Sequence, residues 1–263
     1  MGVSPLMRAR HGLRTRVSEH PNVYLPFARR KYPGPSPEVI SAETELVIDG
    51  YTRSATTFAV YTLQLAQDRP VRLAHHLHAP AQLMEAARRD APVLALIRAP
   101  DGAVLSQLVR EPWVDMRDAT RAYARFYESL VPYRSAFVVG EFEEVTNAFD
   151  RVIQRLNERY GLTLKSFDPK TADMSLCFEL MKERPTLSKT LLGFESGVVT
   201  LAELQAERAR PQAKPLTEVD RDLWVPSTKR EDSKAKLREQ WAGPAMRRLK
   251  ARAQDAYHKF VEE

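Results

Sequence analysis

The sequence predicts an α/β fold of three layers, α/β/α, with a central parallel sheet. Three observations predict it. Four short apolar runs, at 46–48, 71–74, 93–97 and 137–139, are each bounded by Gly, Pro or charge, as strands buried on both faces are. Helical periodicity fills the gaps between them. Strands that alternate with helices connect by right-handed crossovers, and such crossovers build parallel sheets.

The elements follow in order. Residues 1–44 carry Pro21, Pro26, Pro33, Pro35 and Pro37 with Arg29, Arg30 and Lys31, which predicts an irregular arm over the domain. The ordered core begins at Glu45. Residues 56–66 are apolar nearly all round, as a helix buried against a sheet is. Residues 116–130 place Met116, Ala119, Tyr123, Phe126 and Leu130 on one stripe. Residues 145–160 do the same with Val145, Phe149, Val152, Leu156 and Tyr160, and Gly161 supplies a helix stop. After Gly161 the rhythm fails, and 165–232 read as short helices and loops forming a lid or acceptor-facing segment. A basic helical pattern returns over 233–263, broken at Gly243-Pro244. The whole reads as one domain: an arm (1–44), an α/β core (45–162), and a lid with a basic C-terminal helix (163–263).

Composition narrows the partners. The chain has 263 residues, 43% of them hydrophobic, enough for a continuous core. The formal net charge of +6 favours anionic partners: nucleotides, sulfated or phosphorylated ligands, nucleic acid or a membrane surface. Cys177 is the one cysteine, so there is no intrachain disulfide and no cysteine zinc site, and a reducing, cytoplasmic setting is expected. The basic first residues lead into no apolar run, against a secretory signal, and no stretch nears ~18 apolar residues, so no membrane span is expected.

The most informative segment is 45–63, ELVIDGYTRSATTFAVYTL. A strand ends at Asp49, Gly50 opens a turn, and a helix starts near Thr56. Backbone N–H groups and a helix N-terminus cradle anions in this geometry. Gly50, Tyr51, Thr52 and Ala55 shape the loop, Arg53 adds a fixed positive charge, and Ser54, Thr56 and Thr57 add hydroxyls. The loop is not a Walker A motif, because the GK[ST] ending is missing. A further strand ends in Arg98, where nucleotide triphosphatases typically place the Asp that helps hold Mg²⁺. An arginine there points to an anion bound without metal. Ser106 follows eight residues later, on a helix that starts near Pro100.

Together these segments resemble the PAPS-dependent sulfotransferase family, whose donor is 3′-phosphoadenosine 5′-phosphosulfate. The family's phosphosulfate loop follows the first strand as a basic residue, a variable residue, a small residue and two threonines, matched here by Arg53, Ser54, Ala55, Thr56 and Thr57. Its second signature is an arginine at a strand end with a serine eight residues on, matched by Arg98 and Ser106. The segment 137–162 is similar to the family's strand, acidic turn and helix ending in Gly-Leu. The likeness covers roughly 45–162, with a weaker echo near 225–232. Ala55 departs from the commoner glycine, and the family's glycine-rich basic C-terminal motif is absent.

The resemblance implies sulfuryl transfer from PAPS to a hydroxyl of a glycan or small molecule, with PAP as product and no metal. The loop grips the 5′-phosphosulfate, Arg98 and Ser106 grip the 3′-phosphate, and Phe142 stacks on adenine. Lys229 and Arg230 either cover the 3′-phosphate or form a solvated charge run. The family's catalytic histidine follows its second strand, where this chain has His75, His76 and His78. His78-Ala79-Pro80 is the nearest match, with His76 as the second candidate. In an extended segment alternate residues share a face, which puts His76 and His78 together and His75 away. No acidic residue lies within the cluster, which argues against zinc. Acceptor specificity is expected in the arm, in 107–120 with Trp113, and in the loops of 165–225. Two other classes stay open at this level: a small-molecule kinase using Mg²⁺ and ATP, and a basic module for nucleic acid or another anionic polymer. Neither a GK[ST] ending nor interleaved aromatics supports them.

Overall fold

The structure, a computed structural model, describes residues 4–31, 39–166, 174–210 and 228–262, with only the backbone described for 228–230. Four parallel strands form the sheet: β1 (Leu46–Gly50), β2 (Leu73–His75), β3 (Val93–Ile97) and β4 (Val138–Glu141), in the order β2-β1-β3-β4. Leu46 pairs with Leu73, Val47 with Val93 and Leu94 with Val138. Alternate residues of each strand enter opposite layers. Val47, Val93, Ala95 and Ile97 join one core, and Leu46, Ile48, Leu94 and Leu96 join the other.

Helices cover both faces. One layer holds α3 (Thr56–Ala66), α8 (Phe149–Tyr160), α9 (Ser175–Glu183), α10 (Lys189–Glu195) and α11 (Leu201–Arg208). The other holds α4 (Pro80–Arg88), α5 (Pro100–Arg110), α6 (Met116–Glu128), α12 (Thr228–Ala242) and α13 (Arg247–Glu262). A short α7 (Phe142–Asn147) follows β4, and a kink at Ala148 separates it from α8. Gly161, at φ 64°, ends α8 as expected.

The N-terminal arm departs from expectation. Its described part is not irregular: it forms two helices, α1 (Pro5–Val17) against α6 and α2 (Pro21–Lys31) against α4. Pro5 and Pro21 open the two helices, where a missing N–H costs nothing, so these prolines start helices instead of preventing them. Tyr24, Leu25 and Ala28 of α2 are buried in the same core as α4 and α6.

The topology places a crevice. The chain leaves β1 for α3 on one face, and leaves β3 for α5 on the other. The carboxyl ends of β1 and β3 are thus the switch point of the sheet, where open α/β folds bind ligands. Gly50 is required there, because a Cβ on it would stand 2.1 Å from the Leu96 carbonyl oxygen.

Candidate functional site

A cleft of about 640 Å³ opens at this switch point, within the size range of small-molecule sites. Thr52, Arg53, Ala55, Thr56 and Thr57 form its floor, and Arg98 and Phe142 one wall. His76 and His78 form another. Arg110, Arg184 and Lys234 add positive charge, against the carboxylates of Glu111 and Glu231.

The loop after β1 is bent for this purpose. Arg53 and Ala55 both adopt left-handed backbone, at φ 70° and 72°. Such conformations cost about 1–2 kcal/mol for residues with a Cβ, and they cluster at binding sites. The value at Ala55 explains why glycine is the commoner residue there. Ala55 precedes α3 and supplies no side-chain cap, so no side chain closes this helix N-terminus. Thr56 is 4% exposed, and its hydroxyl finds no hydrogen-bond partner among the described residues. A buried, orphaned hydroxyl at an uncapped helix N-terminus suits an anion.

The early loop residues act internally instead. The Gly50 N–H donates to Asp49 Oδ1 at 2.9 Å, and the Tyr51 N–H donates to Tyr127 Oη at 3.2 Å. The Tyr51 ring is buried edge-on against Tyr123 and Phe126, and its hydroxyl donates to Gln107 at 2.6 Å. Ser54 is fully buried. Gly50 and Tyr51 therefore support the loop from behind, and neither they nor Ser54 line the cleft.

The two arginines meet. Arg53 Nε donates to Ser106 Oγ at 3.1 Å, and Arg98 Nη1 donates to the Arg53 carbonyl at 3.4 Å. The Arg98 guanidinium lies 3.7 Å from the centre of the Phe142 ring, in cation–π contact. Tyr123 donates to the Arg98 carbonyl at 2.6 Å and fixes the end of β3. Ser106 is buried and reaches the cleft only through Arg53. One face of Phe142 is already covered by Arg98. Lys229 and Arg230 start α12, but their side chains lie outside the described residues. Lys234, one turn further on, lines the cleft with its Nζ 2.5 Å from Glu231.

The histidines do not follow strand alternation. β2 ends at His75, and both His76 and His78 take positive φ, 58° and 50°. The chain twists so that all three rings are neighbours: the centroids of His75 and His76 lie 4.8 Å apart, and those of His76 and His78 lie 5.7 Å apart.

His78 is held by one edge. Its Nδ1 donates to the Gly50 carbonyl at 2.8 Å and lies 3.3 Å from Asp49 Oδ1. A carbonyl accepts only, so Nδ1 carries the proton and Nε2 is left as a base without a protein partner among the described residues. Asp49, fully buried, also accepts from the His78 backbone N–H at 3.1 Å and from Gln82 at 3.2 Å.

His76 is engaged differently. Its Nε2 lies 2.9 Å from Thr57 Oγ1, and its Nδ1 lies 2.6 Å from His75 Nδ1. The contacts form a chain from His75 through His76 to Thr57, and its proton direction follows the tautomers of the two rings.

Burial, aided by the Arg184 charge, pushes His75 down to about 3 and holds His76 well below its ordinary value, so both are neutral near pH 7. An acidic residue does join the cluster, contrary to the sequence reading: His75, His76 and Glu195 each bring a ligand atom within 4.8 Å of the others. The Glu195 carboxylate is already filled by Tyr61 at 2.5 Å and by Arg184 at 2.8 Å. A buried guanidinium beside the trio opposes a cation, so the trio reads as a hydrogen-bonded network and not as a metal centre.

Sequence reasoning missed Asp49 as the partner of His78, and missed Arg110, Arg184 and Lys234. Arg110 was within reach, since it follows Ser106 by one helical turn on α5. Arg184 and Glu195 carry no local signal. Neither a scan against protein-family models nor a search of curated proteins returns a match for this chain.

The buried imidazoles make stability depend on pH. Unfolded histidines bind protons near pH ~6.5, whereas folded His75 does so only near 3. The unfolded state therefore holds more protons between these values, and stability falls as pH drops through that window, by up to about 1.4 kcal/mol per pH unit for each such histidine. Urea unfolding of wild type and His75→Asn across this window is expected to give a shallower pH slope in the variant. Equal slopes would contradict the buried neutral state.

Proposed function

We propose that this chain is a PAPS-dependent sulfotransferase with a P-loop-like core, acting in the cytoplasm on a hydroxyl of a glycan or small molecule. One observation carries the reading. Two arginines that follow different strands, Arg53 and Arg98, converge with Ser106 and Phe142 at the switch point, beside a histidine whose Nε2 is open. The size and charge of the cleft suit an adenine nucleotide phosphorylated at two positions. The buried thiol of Cys177 suits a reducing compartment.

The residues divide the work. The N–H groups at the start of α3, with Thr56 and Thr57, hold the 5′-phosphosulfate. His75 and His76 act as positioning residues, holding the Thr57 side chain at the loop, and neither serves as the base. Arg98 selects the 3′-phosphate, and Arg53, held from behind by Ser106, stabilises charge on the leaving phosphate. The free side of Phe142 receives adenine. His78 Nε2 takes the proton of the acceptor hydroxyl, its Nδ1–H held by Gly50 and its developing charge stabilised by Asp49. The acceptor oxygen bonds to sulfur as the sulfur–oxygen bond to the 5′-phosphate breaks, and PAP departs with that electron pair. Positioning and fixed charge supply most of the rate, as in phosphoryl transfer.

Calorimetric titration in EDTA tests the donor site. Arg98→Ala is expected to weaken PAP about tenfold to a hundredfold, the worth of one or two charge-assisted hydrogen bonds, with AMP little changed. Equal losses for both nucleotides would contradict the 3′-phosphate assignment, and binding that requires Mg²⁺ would favour a kinase. Transfer from radiolabelled PAPS to phenolic, sugar or sterol alcohols, or to water, tests the base. His78→Gln should cut turnover ~10²–10⁴-fold while PAP affinity stays at the wild-type level. Undiminished turnover would contradict its role.

A further inference from the structure

The strongest feature outside the cleft is the outward side of each of the two N-terminal helices. Residues 1–31 hold seven Lys or Arg residues against one acidic residue, Glu19, a surplus equal to the +6 of the whole chain. The rest of the chain is neutral on balance. The surplus is concentrated on two helices that also expose large apolar side chains.

Helix phase sets that surface. On α1, Leu6, Arg10 and Leu13 recur at intervals of four and three residues, which stacks them on one face. Leu6 is 78% exposed and Leu13 64%. On α2, Val23, Phe27 and Arg30 recur in the same way, opposite the buried Tyr24, Leu25 and Ala28. Val23 is 61% exposed and Phe27 68%. Ion pairs hold the α1 end and the turn between the helices against α6: Arg8 to Asp118 at 2.7 Å, and Glu19 to Arg125 at 2.5 Å. The outward direction of Leu6 and Leu13 is thus built in. Arg10, Arg14, Arg16 and Arg30 stay exposed around the apolar stripes.

We propose that α1 and α2 dock this protein on the surface of an anionic lipid bilayer. Interfacial helices combine exposed apolar side chains with a basic surround in this way, lying in the interface without crossing it. No helix among the described residues is long and apolar enough to cross a membrane. Charge complementarity supplies the attraction, and Leu6, Leu13, Val23 and Phe27 supply the insertion. A phosphate polymer would use the arginines but gain nothing from the exposed aliphatic side chains. This inference does not rest on the sulfuryl-transfer reading.

Co-sedimentation of the full chain with vesicles tests it. Vesicles of phosphatidylcholine mixed with phosphatidylglycerol are expected to bind the protein, and vesicles of phosphatidylcholine alone to bind it at least tenfold less. Binding should collapse near ~1 M salt, where the Debye length is about 3 Å. Arg10→Gln and Arg30→Gln should each weaken it about fivefold. Leu13→Asp and Phe27→Asp should each weaken it tenfold or more. All four sites are exposed, and unchanged thermal melting will verify that the variants fold. Absence of vesicle binding, equal binding to neutral vesicles, or binding that survives Leu13→Asp with Phe27→Asp would overturn the proposal. A dimer in light scattering that Phe27→Asp dissolves would also overturn it, since this face would then be covered by a second copy.

Discussion

A buried carboxylate holds the cleft end of this fold together. Asp49, fully buried at the tip of β1, receives the N–H of Gly50, the N–H of His78 and the amide of Gln82, and faces the His78 ring. A buried charge is tolerated only when such donors surround it. Satisfying Asp49 therefore binds three segments at once: the loop after β1, the turn after β2 and α4. The positive φ of His78 follows from this demand, since the turn must bring both its N–H and its ring to one carboxylate. The anion loop and the histidine are consequently parts of one rigid unit.

On the other side of the cleft, positive charge is gathered. Arg53, Arg98, Arg110, Arg184 and Lys234 line a space that, among the described residues, includes the carboxylates of Glu111 and Glu231. Local contacts moderate the mutual repulsion. Phe142 accepts the Arg98 guanidinium on its ring, and Arg184 is tied to Glu195. The left-handed backbone at Arg53 and Ala55 adds strain to the same loop. Binding sites commonly trade stability in this way.

Much of the core was legible in the sequence. Continuous apolar runs announced β1, β3 and β4, and the stripe of Ala119, Tyr123 and Phe126 announced α6, because burial on a sheet imposes those periods. The spacing of Arg98 and Ser106 was legible because both stand at fixed positions on a strand end and the helix after it. The two N-terminal helices were not, since Pro21 and Pro26 read as breakers, whereas Pro21 opens α2 and Pro26 is carried inside it. The histidine cluster failed for a different reason: alternation holds only in extended backbone, and the chain leaves it at His76. Arg184 and Glu195 are set by tertiary packing more than a hundred residues from His75, and no local pattern encodes that distance.

The central claim is spatial: one ligand spans the loop after β1 and the helix after β3. Amide hydrogen exchange with PAP and with AMP tests it most directly. PAP is expected to slow exchange in 53–57 and in 98–106 together, while AMP slows only the first segment. Protection by PAP of one segment alone, or of neither, would contradict the account.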